Sequence, residues 1–376
     1  MSELNLTDNK FIQFHQKIGF KFDGVKYYGY KGDTIASALL RNNLKLIGRS
    51  FKYHRPRGFY TCGIEEPNAL VQIISEYSEP NTRATIKKIY EGMEIESQNR
   101  WPSLETDIGS INNIFSPVFP AGFYYKTFMG PHKNFWKKIY EPIIRKAAGL
   151  GKPPKEFKAV STHLHHNVDI TIVGGGLNGL IAAKSLIDTK YSVLLIDFDD
   201  QLGGILNNSN KVLSVNNQTP MDWISETVKE IENSKNIKIL KNTLVTTYNY
   251  INHLIAVEDK FVGSRPLKDK VNSTLHKIRT DQVILCNGHI ERFLSFQNND
   301  LPGIMLCSSF EKYMCRYGVI PSKETVVFSN NSNSESLVFS LIKKGFKPKA
   351  YIDSRSGENI EPDLFDLIRK NDIPLY

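Results

Sequence analysis

The residues with the clearest chemical pattern are Gly174-Gly175-Gly176-Leu177-Asn178-Gly179, which follow the apolar run Val168-Asp169-Ile170-Thr171-Ile172-Val173. Leu180, Ile181, Ala182 and Leu186 then recur at helical spacing. A second apolar run, Ser192-Val193-Leu194-Leu195-Ile196, ends at Asp197, 18 residues after Gly179. Each part has a task in holding a dinucleotide. Gly174 permits a tight turn, Gly176 lets the backbone approach a pyrophosphate, and Gly179 lets a helix lie close to a strand. The helix start offers free N–H groups and a partial positive charge to the phosphates. Asp197 accepts from a ribose diol, and its charge opposes a 2′-phosphate, which argues against NADP. A lone glycine triplet signals only a turn, but here strand, helix, second strand and acid fall within Val168 to Asp197. The fingerprint leaves NAD and FAD both open.

The elements that must position these residues extend the pattern. Gly203-Gly204 lies six residues beyond Asp197, the spacing of a second loop that closes over an adenosine half. Ile237 to Tyr248 supplies a strand on which Val245 edges an adenine. Val283-Ile284-Leu285-Cys286-Asn287-Gly288 reads as a strand returning to the site, with Cys286-Asn287 where Ala-Thr is usual. The alternation from Val168 onward is that of an α/β domain, and these features together resemble the glutathione-reductase-like, Rossmann-type fold. A later strand, Thr325-Val326-Val327-Phe328, is followed by Ser329 to Ser334 without glycine, so a second nucleotide site is expected to be degenerate.

Ahead of this domain, Phe20-Lys21-Phe22 and Val25-Lys26-Tyr27-Tyr28 flank Asp23-Gly24, a hairpin signal. Asp33 is expected to cap a helix over Thr34 to Asn43. Asn68 to Ile74 reads as a returning strand. Hairpin, helix, strand is the order of a β-grasp, ferredoxin-like unit. A plant-type cluster needs C-x4-C-x2-C. Counting from Cys62, the next ligand positions are Pro67 and Leu70, so the unit is expected to lack a cluster, with Cys62 a plain buried thiol. His163-x-His165-His166 has no further ligand at useful spacing and reads as a surface turn rather than a metal site. No nucleophile–base pair is assigned, so neither catalytic nor metal residues are proposed.

Between the two domains lie Trp101, Phe115, Phe119, Phe123, Tyr124, Tyr125 and Phe128, then helical periodicity from Phe135, with Pro142 starting a second helix. This aromatic arm must pack on its own chain or line a subunit interface. From Lys126 to Lys158 there are nine Lys or Arg against two Glu, which is +7 of the total charge of +9. That stretch reads as a solvated linker face or a dock for an acidic partner or anionic cofactor. No nucleic-acid module accompanies it. Gly149 to Pro154 reads as a hinge. The expected division is thus 1–90 β-grasp, 91–160 arm and basic helical linker, and 161–376 Rossmann-type domain.

The 376 residues, 40% hydrophobic and 23% charged, are globular in composition. No run of about 18 apolar residues suits a membrane span, and the polar start Met1 to Asn9 is unlike a signal peptide. Four scattered cysteines fit a reducing, cytoplasmic setting.

Longer blocks carry a family resemblance. Gly48-Arg49-Ser50-Phe51-Lys52-Tyr53-His54-Arg55-Pro56-Arg57-Gly58 and Glu65-Glu66-Pro67-Asn68-Ala69-Leu70 resemble the N-terminal portion of the α subunits of heterotetrameric sarcosine oxidases. So do Ser97 to Ser103, Phe119 to Met129, Tyr140 to Arg145, Asn298 to Gly303 and Arg316 to Val319. The resemblance implies a complex that demethylates sarcosine with oxygen and tetrahydrofolate, giving glycine, methylenetetrahydrofolate and hydrogen peroxide. It implies NAD in this subunit, FAD in the β subunit, FMN near the α/β contact, and β, γ and δ subunits as partners. Carried over by position, the NAD site includes Asn178, Asp197, Phe198, Asp199, Ile205 and Val245, which join Gly174, Gly176, Gly179 and Gly204 of the glycine loops read above. The family commonly has an acid where this chain has Phe198. Its α subunits continue into a folate-binding half, so this chain reads as a truncated portion, with tetrahydrofolate binding confined to the part that is missing. The alternatives are an FAD-binding electron-transfer subunit of a related amine, opine or glycine-cyanide dehydrogenase, or a non-catalytic nucleotide-binding scaffold.

Overall fold

The computed structural model describes residues 10–74, 78–118, 130, 132–147, 160–208, 214–267, 270–355 and 360–376. The arm block Phe119 to Met129, the hinge Gly149 to Pro154 and the polar start Met1 to Asn9 lie outside the described residues. The chain divides into two compact units: 1–157 with 293–313 and 317–322, and 158–292 with 314–316 and 323–376.

The first unit is built on a five-stranded sheet. Strands β1 (Gln13–Phe22) and β2 (Val25–Lys31) form the expected hairpin. Asp23 and Gly24 turn it with φ of 48° and 81°, the left-handed pair that a two-residue turn of this hand requires. After helix α1 (Ile35–Arg41) come the short pair β3 (Gly48–Arg49) and β4 (Pro56–Arg57), then β5 (Leu70–Ile74), β6 (Glu79–Arg83) and β7 (Met93–Ser97). The sheet order is β2-β1-β7-β5-β6, with β1 and β7 parallel. Helix α1 is buried along its whole length, and Ile35, Leu39 and Leu40 pack with Phe20, Phe22, Ile73 and Ile95. This is the β-grasp arrangement.

Two expectations for this unit need correction. Thr34, not Asp33, caps α1: its hydroxyl accepts from Ser37 N at 3.2 Å, and Ser37 Oγ accepts from Thr34 N at 2.9 Å. Asp33 is instead fully buried against Arg41, with Nη2 2.9 Å from Oδ1 and Nε 3.1 Å from Oδ2. Arg41 also donates to the carbonyl of Tyr317. A carboxylate so placed is worth more to a buried guanidinium than to a helix start that a hydroxyl already serves.

The second difference concerns residues 293–322, expected within the Rossmann-type domain. All but 314–316 fall in the first unit. Asp300 accepts from Arg55 Nε and Nη2, each at 2.7 Å, and from Arg57. Tyr313 is fully buried in the β-grasp core and donates to Thr61 O at 2.9 Å. Between the units' main sheets in sequence, Lys133–Phe135, a π-helical turn at Trp136–Tyr140 and Glu141–Ala147 form one helical run. Pro142 sits in the first turn of its last segment, and the wider π turn lies just ahead of the residue that has no N–H to offer.

The second unit holds a six-stranded sheet. Its strands are β8 (Val160–Val173), β9 (Val193–Ile196), β10 (Ile237–Leu240), β11 (Thr243–Asn249), β12 (His253–Asp259) and β13 (Val271–Leu285), in the order β10-β9-β8-β13-β12-β11. The first four are parallel, and β13, β12 and β11 form an antiparallel meander. Strand β9 is buried on both faces, which is why it reads as an unbroken apolar run. Val193 and Leu195 pack with helices α2 (Leu177–Ser185) and α3 (Pro220–Asn233), while Leu194 and Ile196 pack with Leu254, Ala256 and Ile278 of the meander. The histidine triplet is extended strand within β8, not a turn. His166 Nε2 lies 2.9 Å from His276 Nδ1, and His276 Nε2 lies 3.1 Å from Glu258. The ladder to β13 carries the strand back as far as Val160 and keeps these residues extended.

A second strand–helix–strand unit follows: β14 (Val326–Ser329), helix α4 (Glu335–Lys343), parallel β15 (Ala350–Asp353) and helix α5 (Pro362–Lys370). Leu375 bridges to Tyr351 in parallel beside this two-stranded sheet.

Candidate functional site

The parallel β8–β9 pair sets the site, because the glycine loop follows the end of β8 and Asp197 follows the end of β9. Gly174 has φ of +105°, and an added Cβ would meet Cys286 O at 2.3 Å. The returning strand thus requires glycine here twice over, by conformation and by space. At Gly179 an added Cβ would fall 1.8 Å from Gly174 O. Only glycine lets α2 rest on the end of its own strand.

Gly176 differs. Its φ is −73°, and the atom nearest to an added Cβ is Gly204 Cα at 3.9 Å. Nothing in the fold demands glycine at this position; what its lack of a side chain preserves is open space beside the start of α2. Gly176 is the N-cap of that helix, and no side chain caps it. The second glycine pair is stitched to the loop, since Gly203 N donates to Gly175 O at 2.8 Å and Gly203 bridges to Gly176.

Asp197 faces the same loop. Its carboxylate accepts from Gly175 N and, at 2.8 Å, from Asp199 N. Burial pushes this carboxyl above its ordinary range, against the pull of those two N–H groups. The backbone around it is tied to β11, with Thr243 N donating to Asp197 O at 2.9 Å and Asn242 N to Asp199 O at 3.1 Å. Val245 lies two residues further and packs on the meander-face core. Asn178, Phe198 and Ile205 are exposed. The fold therefore gathers Gly174, Gly176, Gly179, Asp197 and Gly204 at one strand end, leaving Asn178, Phe198 and Ile205 at its solvent side.

Sequence reasoning missed two participants. Gly175 supplies the N–H that Asp197 holds, and an added Cβ there would strike Leu202 at 2.4 Å. Arg316, nearly buried, pairs with Asp199 and lies 3.4 Å from Asp200. The Gly175 role is visible in the triplet itself. The Arg316 pairing spans 117 residues and has no local signal.

The second strand–helix–strand unit has a turn of a different kind. Ser329 Oγ donates to Asn331 O at 2.7 Å, and Asn331 Oδ1 accepts from Asn333 N at 2.9 Å. Arg355 pairs with Asp353 at 2.8 Å and reaches Ser332 Oγ at 3.2 Å. Side chains fill the turn where glycines open the first one.

No helix among the described residues is long and apolar enough to cross a membrane. Residues 15–100 match the family of 2Fe-2S iron-sulfur cluster binding domains, and residues 172–238 match the NAD(P)-binding Rossmann-like domains. The chain has similarity to a solved L-proline dehydrogenase from P. horikoshii, with a TM-score of 0.60 and 20% identity, over 94% of this chain and 55% of that one. That likeness bears on fold alone. A sarcosine oxidase subunit alpha from Rhizobium meliloti (strain 1021) is 38% identical over 369 residues, which is 96% of this chain and 37% of that protein. Another, from Corynebacterium sp. (strain P-1), is 28% identical over 341 residues, 89% of this chain and 30% of that one. The chain thus spans well under half the length of these relatives. A β-grasp unit, a Rossmann-like dinucleotide-binding fold and similarity along nearly its whole length together make this chain a relative of the α subunits of sarcosine oxidase.

Proposed function

We propose that this chain is the NAD-binding portion of a sarcosine oxidase α subunit. In this reading the dinucleotide diphosphate lies against the first turn of α2, and its adenosine ribose meets Asp197. The open space beside Gly176 carries the reading: this position tolerates a side chain in the fold yet has none, and it faces an uncapped helix start. Gly174, Gly179 and Gly204 shape the cradle. Asn178, Phe198, Asp199, Ile205 and Val245 contribute contacts around the adenosine side. The nucleotide is held rather than turned over as a hydride donor, so what it would supply here is structural.

The activity belongs to the complex: oxidative demethylation of sarcosine in a cytoplasmic setting, with FAD in a β subunit, FMN near the α/β contact, and γ and δ subunits as further partners. The similarity to proteins named as α subunits supports the need for other subunits. Purified chain, denatured and analysed for released nucleotide, tests the cofactor. NAD from colourless protein supports the reading, whereas a flavin spectrum transfers the site to FAD and the chain to the dehydrogenase relatives. Co-purification with a flavin-bearing partner and turnover of sarcosine test the activity.

A further inference from the structure

Residues 15–100 match a 2Fe-2S family, yet the loop that would ligate a cluster has Cys62 followed by Pro67 and Leu70 at the ligand positions. One thiol does not hold two irons, so the residues do not fit the group. What occupies the loop instead is Glu66. Its side chain is 1% exposed. Oε2 accepts from Tyr60 N at 2.9 Å, Thr61 N at 2.6 Å and Thr61 Oγ1 at 3.2 Å. Oε1 accepts from Asn68 N at 2.7 Å and Ala69 N at 3.1 Å. Five donors from both arms of one loop therefore converge on a single carboxylate.

Backbone N–H groups converging in this way form an anion-binding concavity, and in a cluster protein such groups hydrogen-bond the sulfurs of a centre that cysteine thiolates hold. Without an acceptor there, the buried N–H groups of Tyr60, Thr61 and Ala69 and the part-buried N–H of Asn68 would lose their partner, at a cost comparable to losing each bond. We propose that Glu66 is a built-in anion that takes the place of an iron–sulfur cluster as the organising centre of the 60–69 loop. In this proposal, which takes the complex from the proposed function, a carboxylate of the chain's own organises the loop and the β-grasp unit carries no electrons. Burial outweighs the pull of the four N–H donors and leaves the Glu66 carboxyl above its ordinary range, although the geometry around it favours the charge. Both oxygens are already ringed by donor hydrogens, an arrangement suited to the ionised form.

The test uses the full chain, purified anaerobically from iron-supplied cells. Wild-type protein is expected to contain neither iron nor acid-labile sulfide, and stoichiometric amounts of both would overturn the proposal. In Glu66→Gln, amide hydrogens of Tyr60, Thr61, Asn68 and Ala69 are expected to exchange about tenfold faster or more, as for loss of bonds to a charged acceptor. Glu65→Gln should leave them unchanged. Wild-type exchange in Glu66→Gln, or equal acceleration in Glu65→Gln, contradicts the assignment. Should Glu66→Gln not fold, Glu66→Asp, which keeps the charge, takes its place. A folded aspartate variant then supports the anion requirement, and an unfolded one overturns it.

Discussion

The carboxylate of Asp197 accepts the backbone N–H of Gly175, so the acid that ends β9 holds the glycine loop that ends β8. One hydrogen bond thus ties the two strand ends together. Each carboxylate oxygen retains acceptor capacity for a ribose hydroxyl.

The three glycines of the fingerprint should separate by what their substitution breaks. Gly176→Val fills open space and should abolish nucleotide retention while leaving the unfolding midpoint near wild type. Gly179→Ala drives a methyl into Gly174 O and should destabilise the second unit by several kcal/mol, as overpacking against backbone does. Nucleotide content and urea unfolding measured side by side decide it. Full retention in Gly176→Val would remove the diphosphate from this loop.

Asp197 gives a pH signature. Burial holds its folded-state pKa above the unfolded value. Its contribution to stability is therefore fully present below the unfolded value, and is lost as pH rises through the folded one. Nucleotide-free wild type should lose stability relative to Asp197→Asn as pH climbs from about 4. A gap that moves the other way counts against burial as the dominant influence. The same variant should release nucleotide more readily.

Asp33 and Arg41 form a buried pair with side chains 0% and 3% exposed. Asp33→Ala leaves the guanidinium buried without its counter-charge and should cost about 3–5 kcal/mol. Thr34→Ala, which removes only the cap, should cost about 1 kcal/mol. Chemical denaturation of both variants ranks them, and a larger loss for Thr34→Ala would contradict the assignment of the buried pair.

Asp353 behaves oppositely to Asp197. Burial pushes its carboxyl up, but the Arg355 side chain and N–H outweigh it and leave the group below its usual range. The contribution is present above the unfolded value and fades as pH falls through the folded one. Arg355→Ala should therefore destabilise most at neutral pH and progressively less on acidification. A constant difference across the acid range would mean that Arg355 acts by packing alone.

Much of this protein was written locally. Asp23-Gly24 forces its hairpin because two adjacent residues tolerate left-handed backbone there. Gly174, Gly179 and the two flanking apolar strands declare the first nucleotide fold within a single strand–helix–strand unit, since period and turn chemistry are short-range properties. The missing ligands at Pro67 and Leu70 are equally plain in the primary structure. Other features depend on chain segments far apart. Asp33 looks like a cap until Arg41 and the carbonyl of Tyr317 are seen beside it. Asp300 finds Arg55 and Arg57 across more than 240 residues and draws its segment into the first unit. His166 is strand rather than turn because the β13 ladder reaches it. That Glu66 rather than Glu65 faces inward depends on donors arriving from both arms of a closed loop. Spacing along a chain encodes backbone geometry, but which charge meets which is decided only when folding brings the partners within hydrogen-bond reach and excludes water from around them.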